Sequence, residues 1–270
     1  MLKFASWNVN SLTIRLEQVL QWFESSQVDV LALQETKVID ENFPTQSFTE
    51  RGFHVAFSGQ KSYNGVAIVS RYPIKDVVTD IPGLIDPQRR ILAATMVGIR
   101  LINLYVPNGA AVGTDKYEYK LMWLTKVTAF IKQQLSHYPH VAVVGDFNIA
   151  PEDIDVHSPE EWKDSVLVSP AERQAFFELM ALGLKDSFRT LNHETQLFSW
   201  WDYRAAAFRR NRGLRIDHIL LSETLNARCL ESGIDKEPRR DPRPSDHTPV
   251  WAMLDMPSPE GTVTILNHIK

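Results

Sequence analysis

Asp146 and Asn148 stand two positions apart in HVAVVGDFNIAP, residues 140–151, and supply a carboxylate and a carboxamide of the kind that phosphate-ester hydrolysis uses. A carboxylate takes a proton from water or holds a divalent cation, and a neutral amide donates a hydrogen bond to charge growing on a phosphoryl oxygen. The apolar, β-branched run 141–144, closed by Gly145, reads as a buried strand that delivers its end into a crevice. If extended geometry persists past that end, side chains at i and i+2 project to the same side and both groups face one pocket. Asp and Asn after a strand also build ordinary turns, so GDFN alone leaves both readings open.

Other polar groups end other apolar runs. The run 28–33 leads into Gln34 and Glu35, and the run 99–106 carries Tyr105 and is followed by Pro107, Asn108 and Gly109. Asp217 interrupts the apolar strand 214–221, where an unpaired carboxylate is costly, so it is expected to hydrogen-bond a functional partner. Asp246 and His247 are adjacent and would point to opposite faces of a regular strand. Both reach one pocket only from an irregular loop, which the flanking Pro244 and Pro249 favour.

The elements that must position these groups follow from periodicity. Residues 2–7 alternate as a strand, 13–26 carry a helical stripe, and 28–33 return as a strand, giving a β-α-β start. Strands at 53–58 and 66–70, with a hairpin of 91–97 and 99–106 at Gly98, read together as a first sheet. Residues 115–137 repeat apolar side chains at helix spacing and feed the strand before GDFN. Ser169, Pro170 and Glu172 form a capping box that opens a helix running to 182, ended by Gly183. Strands follow at 214–221 and 250–254, and no repeat or linker divides the chain, so the class is α/β with one domain.

With 44% hydrophobic and 23% charged residues among 270, the chain has material for a substantial core. A net charge of −4 gives no global cue for nucleic acid or membranes, so a polyanion must be met by a local patch or by metal. Arg204, Arg209, Arg210, Arg212 and Arg215 fall within twelve positions, and Arg239, Arg240 and Arg243 form a second cluster. Cys229 is the sole cysteine, which excludes an internal disulfide and leaves oxygen and nitrogen ligands for any metal. No basic start precedes an apolar stretch and no membrane-length apolar run occurs, so a cytoplasmic location is expected. His54, His137, His140, His157 and His193 match no motif and read as surface or loop groups, while Trp22, Trp123 and Trp251 fit core faces.

Asn8, LQETK with Glu35, YVPNG with Tyr105 and Asn108, GDFN, NRGLRIDHIL with Asp217, and SDHTPVW with Asp246 and His247 occur in this order. The set resembles the exonuclease III family of apurinic/apyrimidinic endonucleases over residues 1–255. The resemblance implies a four-layer α/β sandwich, two facing mixed β-sheets flanked by helices, in one catalytic domain, 1–255, with a C-terminal tail, 256–270. It implies Mg²⁺-dependent cleavage of duplex DNA 5′ to abasic sites, with 3′-phosphatase, 3′-phosphodiesterase and 3′ to 5′ exodeoxyribonuclease action, by metal-assisted attack of water. Mn²⁺ is expected to substitute. The implied partner is double-stranded DNA with abasic sites or blocked 3′ ends, met by a monomer without a membrane.

Carried over by residue, Glu35 assisted by Asn8 holds the ion, with Asp146, Asn148, Asp246 and His247 around the same site. Asp146 activates or orients the attacking water and Asn148 positions the phosphate. Asp217 orients His247, which binds a phosphoryl oxygen or shares in proton transfer, and Tyr105 sits against the phosphate or leaving group. Asn108, Trp200, Arg209, Arg210, Arg215 and Ile216 are the expected DNA contacts, Trp200 and Ile216 as walls for an extruded sugar. Another phosphoesterase of this architecture, acting on inositol phosphates, sphingomyelin or RNA, is the competing enzyme reading, and WWDYR and NRGLRIDHIL oppose it. A DNA binder without catalysis would have no need of the full acid, amide and histidine set. Residues 152–168 have no counterpart in the resemblance.

Overall fold

The computed structural model describes residues 1–256, so the expected tail beyond that point lies outside the described residues. The strands are β1 (Leu2–Asn8), β2 (Val30–Gln34), β3 (His54–Ser58), β4 (Val66–Ser70), β5 (Lys75–Val78) and β6 (Ile91–Met96), then β7 (Ile99–Tyr105), β8 (Val141–Asp146), β9 (Leu184–Asp186), β10 (Asp217–Ser222), β11 (Cys229–Ile234) and β12 (Val250–Leu254). The helices are α1 (Leu12–Ser25), α2 (Thr45–Thr49), α3 (Asp115–His137), α4 (Pro159–Trp162), α5 (Pro170–Met180), α6 (Ser187–Leu191) and α7 (Glu223–Asn226). Two six-stranded sheets form, in the orders β11-β12-β1-β2-β4-β3 and β5-β6-β7-β8-β10-β9. Each is mixed: β1 with β2, and β7 with β8, are the parallel pairs. Parallel neighbours need a crossover rather than a tight turn, and α1 and α3 supply the two crossovers.

The two-residue period of each strand sorts side chains between layers. Leu2 and Phe4 of β1 meet Ala142 and Val144 of β8 in the layer between the sheets. Ala5 and Trp7, on the other face of β1, pack with Leu20 and Phe23 of α1. On the far side, Val141 and Val143 of β8 pack with Trp123 and Val127 of α3 and Phe176 of α5. The result is helix, sheet, sheet, helix, the four-layer sandwich that the resemblance implies. Burying one such aliphatic or aromatic side chain contributes about 1.5–3 kcal/mol, so the middle apolar layer holds the sheets face to face and the outer two hold the helices onto them. Near one end a polar staple crosses them: Asn103 Nδ2 donates to the carbonyls of Leu33 and Ala67, both at 2.9 Å, and its Oδ1 accepts from Gln34 Nε2 at 2.7 Å.

One expectation fails here. The strands at 54–58 and 66–70 and the hairpin at Gly98 do not share a first sheet: β3 and β4 close one edge of one sheet, whereas β6 and β7 lie in the other. Both strand pairs are apolar, and nothing local says which partner lies across either pair. The short strands β5, β9 and β11 escape sequence reading because they sit at or beside sheet edges with exposed polar residues and little alternation. No helix among the described residues is long and apolar enough to cross a membrane.

Candidate active site

The two parallel pairs end side by side, one on each sheet. Asn8 of β1 lies in register with Gln34 of β2, and Tyr105 of β7 with Asp146 of β8. β10 runs antiparallel to β8 and begins at Asp217, opposite Asp146. In open α/β sheets the carboxyl ends of parallel strands are where binding crevices form. Gly145 sets how deep Asp146 sits: its φ is 143° and a Cβ there would lie 1.9 Å from the Leu104 carbonyl oxygen, a distance no side chain tolerates.

Extended geometry does not persist through Asn148 as expected, because its φ is 49°. Its backbone N–H donates to Asp146 Oδ1 at 2.9 Å, closing the turn that Asp and Asn after a strand favour. The two side chains still meet. Asn148 Nδ2 donates to Asp146 Oδ2 at 3.3 Å and to the Val106 carbonyl at 2.9 Å. Asn8 Nδ2 reaches across from the other sheet and donates to Asp146 Oδ2 and to Glu35 Oε1, each at 2.9 Å. Glu35 also has positive φ, 51°, and its Oε2 lies 2.9 Å from Lys37 Nζ. Left-handed non-glycine residues of this kind persist only where surroundings hold them, and they concentrate at working sites.

His247 enters from the irregular, proline-flanked loop before β12. Its Nδ1 donates to Asp217 Oδ2 at 2.9 Å, and its Nε2 lies 3.7 Å from Asp146 Oδ2. Asp217 Oδ2 also accepts from Ser199 Oγ at 2.6 Å, so the carboxylate inside the apolar strand is paired, as its burial demands. Ser245 fixes the loop from below: its Oγ donates to the Asn8 carbonyl at 2.7 Å and accepts from the His247 N–H at 3.2 Å. Nothing in the sequence marks Ser199 or Ser245 as a site residue, since a serine carries no signal until its partners are known.

Negative charge here exceeds the positive charge set against it. Burial, with the charge of Asp217, raises the Asp146 pKa to about 7 despite His247 and the donors Asn8 and Asn148. Burial alone would lower His247, but the carboxylates of Asp217 and Asp146 outweigh it and raise the imidazole to about 10. Tyr105 is pushed well above its usual value by burial and by the charges of Glu35 and Asp146. Glu35, Asp146 and His247 each offer a ligand atom within 4.8 Å of one another, a hard, mostly oxygen donor set with uncompensated charge. Those residues fit a divalent cation.

The remaining predicted residues divide. Asn8 turns its nitrogen, not its oxygen, to the carboxylates, and its Oδ1 accepts from the Asn10 N–H at 3.0 Å. Asp246 does not join the converging group: Oδ1 accepts from Asn10 Nδ2 and Oδ2 from Trp200 Nε1, both at 3.0 Å. Asn108 is exposed and donates from Nδ2 to Asn148 Oδ1 at 3.1 Å. Trp200 is half-buried, edge-on to Trp162 at 6.4 Å between ring centroids. Ile216 is only 1% exposed, packed with Val156, Leu167 and Leu214, so it presents no wall to a ligand. Arg215 is also only 1% exposed and is no DNA contact; it forks between Asp155 at 2.7 Å and Asp186 at 2.8 Å. Arg204 pairs with Asp202 and Arg212 with Glu161. Arg209 and Arg210 are exposed, and among the described residues neither guanidinium has a hydrogen-bond or ion-pair partner. In the second cluster Arg239 is buried, stacked over Phe208 at 4.9 Å.

This arrangement can be set beside known proteins. The Endonuclease/Exonuclease/phosphatase family matches residues 5–247. The Haemophilus influenzae protein Exodeoxyribonuclease III is 38% identical over 264 residues, covering 93% of this chain and 99% of that one. Among solved structures, the 3′ phosphatase NExo from Neisseria, bound to a product DNA hairpin, is similar with a TM-score of 0.94 and 44% identity, covering 95% of this chain and 100% of that one. An AP endonuclease from Archaeoglobus fulgidus gives 0.90 at 37% identity, with 95% and 100% covered. With the fold, the site and these relatives in agreement, the chain belongs to the Endonuclease/Exonuclease/phosphatase family, and within it to the DNA-repair nucleases of the exodeoxyribonuclease III and AP endonuclease type.

Proposed function

We propose that this nuclease is a Mg²⁺-dependent phosphoesterase that removes 3′ phosphates and 3′-terminal nucleotides from duplex DNA and cuts 5′ to abasic sites, with 3′ ends the better substrates. The observation that carries the chemistry is the convergence of Glu35, Asp146 and His247 at facing strand ends, tied together by Asn8 and backed by Asp217. When bound, the cation neutralises charge on the phosphoryl oxygens and stabilises the leaving oxygen.

The protein groups do the rest. Glu35 and Asp146, spaced by the Asn8 amide, would supply the carboxylate oxygens for the ion. Asp146 orients the attacking water and accepts its proton, with its oxygens held in place by the backbone and side-chain N–H groups of Asn148. On substrate entry the longer 3.3 Å contact of Asn148 is the one exchanged for a phosphoryl oxygen. His247 keeps Nδ1 on Asp217 and presents Nε2 to the phosphate as a donor. Tyr105 backs the leaving group.

The order of substrates rests on the apolar cluster behind Trp200. Ile216 and Leu167 are buried within it, 1% and 4% exposed, so the two-walled slot for a flipped sugar is filled. What remains beside Trp200 is an open groove of about 450 Å³ shared with Trp162 and Arg212. The Neisseria relative is a 3′ phosphatase and the Archaeoglobus relative an AP endonuclease, which supports both chemistries. The test is purified protein on 3′-phosphate, recessed and abasic duplexes side by side, with EDTA and then Mg²⁺ added back. Cleavage should stop with EDTA and return with Mg²⁺, fastest on the 3′-phosphate. Faster incision at the abasic site would reverse the order, and cleavage in EDTA would end the metal assignment.

A further inference from the structure

We propose that Lys120 and Glu172, a buried ion pair behind the active site, act as a clamp that positions the asparagines of the β7 and β8 ends. Lys120 projects from α3 and is fully buried. Its Nζ donates to the Asn148 carbonyl at 2.6 Å and to the Asn108 carbonyl at 3.2 Å, and pairs with Glu172 Oε1. An ammonium has three N–H groups, and all three have partners here. Two of those partners belong to the residues whose side chains meet at 3.1 Å beside Asp146.

Glu172 is equally buried and anchors the clamp to a second helix. It is the third residue of α5 and closes the Ser169 capping box. Its carboxylate accepts from the backbone N–H groups of Leu167 at 3.0 Å and Ser169 at 3.1 Å, and from Ser169 Oγ at 2.6 Å. The catalytic turn is thereby tied to α3, α5 and the end of the segment at 152–168 through one side-chain pair.

Stability alone does not account for such a pair. Taking both ions out of water costs several kcal/mol each, and an apolar pair of similar volume is often as good or better for the fold. What an apolar pair lacks is a donor for two carbonyls. Asn148 holds a φ of 49°, a conformation that needs external support, and its carbonyl is the point where Lys120 grips. With that peptide fixed, the backbone N–H of Asn148 stays on Asp146 Oδ1 and its amide on Oδ2. A misplacement of about 1 Å at a reacting centre costs on the order of 10²-fold in rate. Lys120 is the positioning residue, acting through Asn148 and Asp146, and Glu172 is the counter-ion that anchors it.

The inference rests on the proposed role of Asn148 in phosphate-ester hydrolysis, and the test separates the two. Lys120→Met with Glu172→Gln removes both charges together and leaves no lone buried ion. In that folded variant kcat on the duplex that the wild type cleaves best should fall roughly 10–100-fold with KM changed less than about threefold, since binding groups are untouched. Glu172→Gln alone keeps the Lys120 donors on both carbonyls, so it should lower the melting temperature while kcat stays within about twofold. In an Asn148→Ala background the loss from the double variant should shrink, because the clamp then positions only the backbone N–H on Asp146 Oδ1 and no longer the carboxamide. Hydrogen exchange at 107–110 and 146–150, which needs no substrate, should speed up in the double variant. Unchanged exchange and kcat in the folded double variant, a kcat that falls with melting temperature in Glu172→Gln, or losses that multiply with Asn148→Ala would each overturn the clamp. Faster exchange in a protein whose wild type cleaves no DNA would keep the clamp and remove the functional reading.

Discussion

Asp217 and His218 are neighbours on β10 that face opposite sides of the sheet, and the two buried charge clusters they join differ chiefly in arginine. On the inner side, Asp217, Asp146 and Glu35 share His247 and Lys37 as their cations. On the outer side, Asp155 meets Arg215 and Arg189, each at 2.7 Å, and Asp186 meets Arg215 at 2.8 Å. Burial would raise these acids, yet the guanidinium charges win and both carboxyls are held below their usual value. His218 is pushed down to about 4, first by burial and then by Arg215, whereas His247 is pushed up to about 10. The neutral His218 donates from Nε2 to the Ile149 carbonyl at 2.9 Å and takes the Arg215 Nη1 contact on Nδ1 at 3.0 Å. Buried acids matched by arginine forks are finished structure. Buried acids left short of cations at a strand-end crevice stay open to metal and proton, which is where perturbed titration marks function.

The sharpest way to break this contrast is one substitution in each cluster. Asp146→Asn should lower turnover by about 10²-fold or more, the scale of lost proton-transfer help, while the urea midpoint holds or rises because a raised, buried carboxylate is gone. Arg215→Met should do the reverse, costing about 3–5 kcal/mol of stability by stranding Asp186 without its guanidinium and leaving Asp155 with Arg189 alone. Urea unfolding and duplex affinity, measured on both variants, decide it. Weaker DNA binding by Arg215→Met at unchanged stability would return that residue to the DNA surface.

A second contrast is in pH. His218 has a folded pKa of about 4 against 6.5 when exposed, so between those values the unfolded chain binds a proton that the folded one refuses. Stability therefore falls as pH drops from 6.5 toward 4, by about 3 kcal/mol from this group alone at roughly 1.4 kcal/mol per unit. The charged groups facing His218 are Arg215, Asp186 and Asp155, and the acids, being lowered, lose their contribution only further down. The wild-type midpoint measured relative to that of His218→Gln should fall as pH drops from 6.5 to 4 and stay constant below, a difference that removes the opposing gain from protonating Asp146 over the same window. A variant whose midpoint declined in parallel with the wild type would place the titrating group elsewhere.

Much of this frame was legible because local periodicity and caps carry it. α3 runs over the same 115–137 that helix spacing marks, and the Ser169 capping box opens α5 as read, because both signals lie within a few residues of each other. Asp217 was legible as paired because burying a lone carboxylate is costly wherever the partner comes from. Arg215 was not, since its acid Asp155 lies 60 positions away and a run of arginines in sequence says nothing about which of them are forked. The assignment of β3 with β4 and β6 with β7 to different sheets was hidden for the same reason: pairing across a sandwich is non-local. The filled slot at Ile216 depends on Val156 and Leu167 from the segment that had no counterpart.

The same distinction between matched and unmatched charge gives the smallest predicted effect, on the surface loop. Of the five arginines between 204 and 215, Arg204, Arg212 and Arg215 already have acids, and Arg209 and Arg210 do not. On a chain of net charge −4, unpaired exposed guanidiniums are where a phosphate backbone can be met without first breaking an internal pair. Each phosphate contact releases condensed counterions and steepens the fall of log affinity with log salt by about 0.9. Arg209→Gln with Arg210→Gln should therefore weaken binding to abasic, 3′-blocked and intact duplexes alike and reduce that slope by about 0.9–1.8, depending on whether one or both contacts exist. Arg204→Gln, which gives up only an exposed pair with Asp202, should move the slope less. Titrations of each variant from low to moderate salt, with catalysis blocked by EDTA, measure it. A slope that stays fixed in the double variant, or one that shifts more for Arg204→Gln, would mean that the unpaired arginines only solvate the loop and that the backbone is gripped elsewhere.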